Sequence, residues 1–151
     1  MDSENNCNFA AKNACTSRLR AILCYSLRPT RGSLPFKDAD YEFYCSSRFF
    51  SKLHGDTGAN FGKRAQAGDE DALAVWQEFG ENVGELIKAV LFTYAPEAII
   101  IGGGIASAFS LFETAMRKKL ESFHYPENVA ATRILPSTLP NAAMLGASVL
   151  I

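Results

Sequence analysis

The stretch Pro96–Ser107, PEAIIIGGGIAS, decides the fold class of this chain of 151 residues. Its apolar run, Ala98–Ile101, has the length and composition of a buried strand and leads directly into Gly102, Gly103 and Gly104. In α/β proteins, a buried strand that ends in glycines brings bare backbone close to a phosphate or a nucleoside. The same glycines could equally form a tight strand-to-helix turn with no ligand. The pattern is neither GxGxxG nor GxxxxGK[ST], so it predicts neither a Rossmann fingerprint nor a Walker loop.

Helical patterns lie on both sides of this strand. The clearest one follows Asp69, which is a suitable N-cap, and its apolar positions recur every three or four residues over 72–90. We expect this helix to stop before Pro96. Gly80 and Gly84 lie inside this helix and predict the close approach of another backbone. The other predicted elements are a loop over 33–40, a helix over Tyr41–Leu53, a helix over Ser107–Phe123, a short strand over Thr132–Leu135 and a helix over Asn141–Ile151. The order helix, strand, glycine loop, helix, strand, helix predicts an α/β fold with a short pair of parallel strands.

Composition excludes several classes of partner. The formal net charge is -1, so the chain has no overall positive electrostatic field that would favour binding to nucleic acid or to an anionic membrane. No apolar run approaches the ~20 residues that span a bilayer. Cys7, Cys15, Cys24 and Cys45 form no CxxC pair, which argues against a zinc site and favours reduced thiols in the cytoplasm.

Two further features of the sequence are candidate sites. The tetrapeptide Asp56–Ala59, DTGA, is that of aspartic proteases, but those enzymes need two such aspartates and the chain has no second copy. We therefore expect a loop there. His54 and His124 have no carboxylates or cysteines at ligand spacing, so no metal ligand is predicted.

The stretch 62–106, GKRAQAGDEDALAVWQEFGENVGELIKAVLFTYAPEAIIIGGGIA, resembles the C-terminal part of the ROK family. That family comprises bacterial sugar kinases, such as glucokinase and N-acetylmannosamine kinase, and related repressors. The resemblance is carried by the Ala-x-x-Gly-Asp-x-x-Ala pattern at Ala65–Ala72, by Pro-Glu-x-Ile-Ile-Ile-Gly-Gly-Gly at Pro96–Gly104 and by Leu-Gly-Ala at Leu145–Ala147. It covers about residues 32–151 and leaves residues 1–31 as an unmatched N-terminal segment whose order stays open.

The resemblance implies the actin-like ATPase (ribonuclease H-like) fold, of which this chain would form a part. It implies ATP as the cofactor, with Mg²⁺ in the intact family, and it makes Gly102, Gly103, Gly104 and Ile105 the nucleotide contacts. It also implies a sugar partner in an intact enzyme. The family's CxCGxxGCxE zinc cluster is absent from the sequence, so no zinc is expected.

Other family segments are also absent from the sequence. It has no DxGGT-type phosphate loop, no Asn-x-Asp-x-Ala segment with the catalytic Asp, and no Gly-Glu-x-Gly-His sugar segment, so no catalytic residue is assigned. We expect a nucleotide-side fragment of an ATP-dependent hexose kinase that is inactive alone. The alternatives are a regulatory or interaction module of the repressor type without a DNA-binding domain, and a non-functional truncated product. A short strand pair would leave apolar helix faces uncovered, which predicts a homo-oligomer through the stripe from Trp76 to Val90.

Overall fold

Residues 35–37 and 39–139 are described by the computed structural model of this chain. The helices are α1 (Tyr41–Tyr44), α2 (Gly58–Gln66), α3 (Glu70–Tyr94), α4 (Phe109–Leu120) and α5 (Pro126–Ala131). The strands are β1 (Pro35–Phe36), β2 (Ala39–Asp40), β3 (Ala98–Ile101) and β4 (Arg133–Pro136). A π-helical turn (Phe49–Leu53) and a 3-10 turn (Gly104–Ala108) complete the elements. β1 and β2 pair antiparallel, whereas β3 and β4 form the predicted parallel pair.

Helix α3 begins and ends where the sequence signals predict. The Asp69 Oδ1 atom accepts hydrogen bonds from the backbone N–H groups of Asp71 at 3.0 Å and Ala72 at 3.2 Å. These bonds satisfy two of the N–H groups that a helix start leaves without a partner. At the other end, Ala95 adopts φ 40°, in the left-handed region, immediately before Pro96. The predicted N-cap and the predicted stop before Pro96 are both confirmed.

Two glycines of α3 allow α4 to pack against it at close range. A Cβ atom built on Gly80 would lie 2.5 Å from the backbone carbonyl oxygen of Phe112. A Cβ atom built on Gly84 would lie 2.7 Å from the Cβ of Lys119. Neither distance is compatible with a side chain, so the predicted close approach of another backbone is confirmed and the partner is α4.

The core is an aromatic cluster on the inner face of α3. Phe49 and Phe50 from the π-helical turn and Phe112 from α4 pack around Trp76 and Phe79, and all five side chains are fully buried. The closest rings are those of Phe50 and Trp76, with centroids 4.6 Å apart. The α3 stripe from Trp76 to Val90 is therefore covered within the chain. The prediction that this stripe is left uncovered is wrong, because the contributions of the π-helical turn and α4 to the core could not be read from local patterns. The homo-oligomer itself stays a prediction.

The parallel pair β3–β4 lies against this core with one face. Ile99 and Ile134 are paired in register and point inward, each with 3% of its surface exposed. Ile100 and Leu135, the next pair, point outward and are about half exposed. The second strand begins one residue later than predicted, because the backbone N–H of Thr132 donates to the Asn128 carbonyl at 3.1 Å and caps the end of α5. The Thr132 hydroxyl donates a 2.7 Å hydrogen bond to the carbonyl of Pro96.

Two predictions near the start of the described chain are wrong. Residues 33–40 were expected to be a loop, but β1 and β2 pair within them around Lys37, which has φ 53°. A single helix was expected over 41–53, but it divides into α1 and the π-helical turn. Phe49 and Phe50 are consecutive and both fully buried, so long-range packing overrides the local helical pattern there. The predicted helix Asn141–Ile151 and the N-terminal segment 1–31 lie outside the described residues.

Candidate functional site

The glycine loop leaves β3 with its backbone exposed. Gly103 adopts φ 79° and ψ −170°, a combination open essentially only to glycine. Gly102 and Gly104 do not need a positive φ, yet all three glycines are exposed. Apart from chain neighbours, no residue among 35–37 and 39–139 comes within 4 Å of a Cβ atom built on any of them. The glycines therefore do not serve close packing against the described part of the chain. They leave bare backbone beside open space, the arrangement that admits a ligand against main-chain N–H groups.

Hydrogen bonds between residues close in sequence stabilise the conformation of this loop. The backbone N–H of Ala106 donates to the Gly103 carbonyl at 3.1 Å, and the Ser107 hydroxyl donates to the Gly104 carbonyl at 2.8 Å. Ile105 is partly buried and packs against the core, which anchors the loop from below. No side chain caps the first turn of the 3-10 segment. The loop is thus fixed through its carbonyl groups, which leaves its outer surface for a ligand.

The chain leaving β4 lies beside this loop. The backbone N–H of Ser137 donates to the carbonyl of Ile101 at 2.8 Å, which extends the pairing of the two strands by one residue. Both strands are parallel, so their carboxyl ends lie at the same edge of the sheet. Ligands of open α/β sheets bind outside the carboxyl ends of the strands. Sequence reasoning singled out the glycines but missed Ser137 and its neighbours, although the predicted parallel pairing was a signal that could have found them.

The Asp56–Ala59 motif caps a helix. The Asp56 carboxylate accepts 2.7 Å hydrogen bonds from the Thr57 backbone N–H and from the Asn60 side-chain amide. The Thr57 hydroxyl oxygen accepts the Asn60 backbone N–H at 3.2 Å as the N-cap of α2. These bonds, with the Asn60 amide first, lower the pKa of Asp56 below its ordinary value. Asp56 and Thr57 lie in the expected loop, whereas Gly58 and Ala59 already belong to α2.

The described histidine and acidic residues form no metal centre. The His54 ring packs edge-on against Phe49 with centroids 4.9 Å apart, and its Nε2 lies 3.9 Å from Glu78 Oε2. The other Glu78 oxygen lies 3.6 Å from Lys37 Nζ. His124 is exposed. Over residues 35–37 and 39–139, no group of three or more His, Cys, Asp or Glu side chains comes together as a metal site would require. Among the same residues, no helix combines the length and the apolar character that crossing a membrane requires.

Comparison with solved structures shows the same fold in three proteins. A putative sugar kinase from Cytophaga hutchinsonii superposes with a TM-score of 0.70 at 23% identity, covering 81% of this chain and 48% of that chain. A ROK family glucokinase from Streptomyces griseus, in complex with glucose and AMPPNP, gives a TM-score of 0.62 at 20% identity, covering 82% and 49%. A ROK family transcriptional regulator, described as a homolog of the E. coli MLC protein, gives 0.64 at 18% identity, covering 82% and 36%.

This chain therefore spans less than half the length of each of these three proteins. At these identities the likenesses show the fold alone, and they confirm the predicted α/β architecture of the actin-like ATPase type. Comparison with curated protein sequences gives no match. The model of the ROK family matches residues 37–151, which is more than half of the chain. The chain belongs to the ROK family.

Proposed function

We propose that this chain forms the nucleoside side of an ATP-binding cleft of the ROK sugar-kinase type, with Gly102, Gly103, Gly104 and Ile105 as the nucleotide contacts. The observation that carries the proposal is the open backbone of the loop, where no described residue other than the chain neighbours places an atom within 4 Å of a Cβ built on any of the three glycines. A loop that served only as a tight turn would not need three exposed glycines, because only Gly103 has a positive φ. The glucokinase neighbour in complex with glucose and AMPPNP supports nucleotide as the ligand.

Phosphoryl transfer depends on positioning and on charge stabilisation by a metal ion and by phosphate-binding groups. The sequence contains no DxGGT-type phosphate loop and no segment with the family's catalytic Asp. The described residues converge on no cluster of metal-ligating side chains, so no Mg²⁺ ligand and no catalytic step is assigned to this chain. We therefore propose nucleotide binding without phosphoryl transfer by the chain alone. A hexose such as glucose would be the second substrate where the remaining parts of the kinase are present.

This proposal includes the division of the chain. Residues 32–151 would form the C-terminal part of a ROK-type kinase domain, and residues 1–31 a separate segment. The family match over residues 37–151 supports the first part of this division.

The first test is calorimetric titration of the full chain with ATP and with ADP, and a coupled hexose kinase assay on the same sample. The variant Gly104→Val places a branched side chain in the space beside the loop without clashing at its Cβ. The control is Gly62→Ala, whose Cβ would meet only Trp76 at 4.0 Å. We expect ADP binding by the wild type and the control, loss of binding in Gly104→Val, and no turnover. Equal binding by all three proteins would refute the assignment of the loop, and turnover would refute the inactive half-cleft.

The alternative is a regulatory or interaction module. It is supported by the ROK family transcriptional regulator, which shares the fold over 82% of this chain. This alternative predicts association with a partner protein or a second copy and no nucleotide binding. Light scattering on a chromatographed sample, together with the same titrations, separates the two: a monomer that binds ADP favours the half-cleft, and an assembly that does not bind ADP favours the module.

A further inference from the structure

A small cavity lies at the C-terminal end of α3. It has a volume of about 240 Å³ and is lined by Leu91, Phe92, Ala95, Tyr125 and Asn128. α3 leads into β3 and α5 leads into β4, so the cavity lies at the amino ends of the two parallel strands. The glycine loop follows the carboxyl end of β3, at the opposite edge of the sheet. This cavity is therefore separate from the candidate nucleotide site.

Exposed aromatic rings border the cavity. Phe92 exposes 73% of its surface and Tyr125 exposes 46%. The Phe123 ring packs edge-on against Tyr125 with centroids 5.7 Å apart, so Tyr125 is held in place at the surface. The cavity is smaller than the sites of small molecules, which occupy about 300–1,000 Å³, and its size suits one or two apolar side chains. An apolar patch around such a cavity is typical of a surface that binds a polypeptide segment.

This end of α3 has negative electrostatic character. The carbonyl groups at a helix C-terminus carry a partial negative charge, and α3 has no basic residue in its last turn. Glu97 and Arg133, at the starts of the two strands, offset each other in formal charge. The exposed Glu127 adds a negative charge next to Asn128, which lines the cavity. Since arginine also stacks on aromatic rings, a segment with both arginine and aliphatic side chains complements this surface.

We propose that residues 18–23 of the same chain, RLRAIL, dock on this cavity. The aliphatic side chains of the segment enter the cavity, while Arg18 and Arg20 contact the aromatic rings and the carbonyl end of α3. Residues 5–37 contain no Asp or Glu, so no acidic residue of this part of the chain repels the negative end of α3 or competes for the two arginines.

The length of the chain allows this contact. Lys37 Nζ lies 3.6 Å from Glu78 Oε1, so the start of the described chain is fixed beside α3. At about 1.5 Å per residue, Phe92 lies about 21 Å further along the helix, and about 10 Å more is needed to pass around it. Residues 24–34 span up to about 36 Å when extended, so they are long enough to bring the segment to the cavity.

Nuclear magnetic resonance of the full chain tests this proposal. Cys24 directly follows the docking segment, and a variant that keeps Cys24 as its only cysteine carries a nitroxide label there. We expect the label to broaden the amide signals of Phe92 and Asn128. Absence of this broadening in a folded sample would overturn the proposal. The same broadening of an isotope-labelled chain by a nitroxide on a second, unlabelled chain would show contact between two copies and would also overturn it.

Charge reversal tests the docking segment. The double variant Arg18→Glu, Arg20→Glu should abolish the broadening at Asn128. The matched control, Lys12→Glu with Arg31→Glu, makes the same change in net charge outside the segment and should retain it. Equal behaviour of the two double variants would contradict a specific role of the two arginines.

A second pair of variants tests the cavity. Phe92→Ala should abolish the broadening at Asn128. Leu73→Ala, which removes a side chain that is 41% exposed on the same helix and away from the cavity, should retain it. Retention in both variants would show that the segment lies elsewhere on the surface. The charge-reversal pair decides the matter even where Phe92→Ala folds poorly.

Discussion

The close packing of α3 on α4 makes a quantitative prediction for the variant Gly80→Ala. The added methyl group would lie 2.5 Å from the Phe112 carbonyl oxygen, about 0.9 Å inside the 3.4 Å at which ordinary contact begins. The next atoms, the Cβ of Ala115 at 3.0 Å and the backbone N of Met116 at 3.2 Å, also belong to the rigid part of α4. None of them can rotate away, so the two helices must separate. Overpacking of this kind costs about 1–3 kcal/mol. A 2.5 Å contact with rigid backbone places the overpacking cost in the upper part of this range, at about 2–3 kcal/mol.

The higher helix propensity of alanine offsets part of this cost. Alanine favours a helix interior over glycine by about 1 kcal/mol, so the net destabilisation of Gly80→Ala is about 1–2 kcal/mol. The same substitution at Gly62 in α2 gains the helical term, and its Cβ lies 4.0 Å from the Trp76 ring. Gly62→Ala is therefore expected to be neutral or up to about 1 kcal/mol stabilising. The two variants share their chemistry and differ only in the space around the methyl group.

The assay is urea unfolding followed by circular dichroism and by the fluorescence of Trp76, the single tryptophan of the chain. We expect the midpoint to fall for Gly80→Ala and to stay or rise for Gly62→Ala at equal slope. By thermal unfolding, a loss of 1–2 kcal/mol corresponds to a fall in Tm of about 2–8 °C in a chain of this size. If Gly80→Ala proves as stable as Gly62→Ala, the close approach of the Phe112 backbone to α3 is refuted.

Three further predictions concern single side chains. Thr132→Val removes the hydroxyl that donates to the buried Pro96 carbonyl and should lower the free energy of unfolding in urea by about 1–3 kcal/mol. The control Thr93→Val removes an exposed hydroxyl bonded within α3 and should change that free energy little. The hydrogen bond from Arg64, and then those from the backbone, lower the pKa of Asp69 below its ordinary 3.8. The stabilisation that the ionised Asp69 contributes is therefore complete above pH 3.8 and is lost as the pH falls through the lower pKa of the folded state. Thermal unfolding of Asp69→Asn should accordingly show a smaller loss of Tm on acidification than the wild type, and an equal loss would contradict this account. Burial raises the pKa of the Cys45 thiol to about 12, so little of it is thiolate at pH 8. In a variant that keeps only this cysteine, a disulfide reagent at pH 8 should react slowly until urea unfolds the chain. Immediate reaction in the native state would show that the thiol is accessible.

The candidate site was partly visible in the sequence. The position of the glycines at the end of an apolar run marked the loop, because a buried strand followed by residues without side chains is a local pattern. The special conformation of Gly103 and the open space beside all three glycines could not be read from it, since both depend on where the neighbouring segments pass. The predicted parallel pairing indicated that the chain leaving β4 lies near the loop, but the register that places Ser137 beside Ile101 has no local signal across 36 residues.

The sequence by itself determined the elements whose signals lie within a few residues of one another. Helix α3 has its cap at Asp69, its apolar period and its stop before Pro96 all within one continuous stretch, and β3 is bounded by Pro96 and the glycines. Only the tertiary structure decided the division of the segment 41–53, where Phe49 and Phe50 enter one core together, and the covering of the α3 stripe by α4. The physical reason is the same in each case: hydrogen bonds of helices and caps are local, whereas burial of an apolar side chain depends on segments that are distant in the chain.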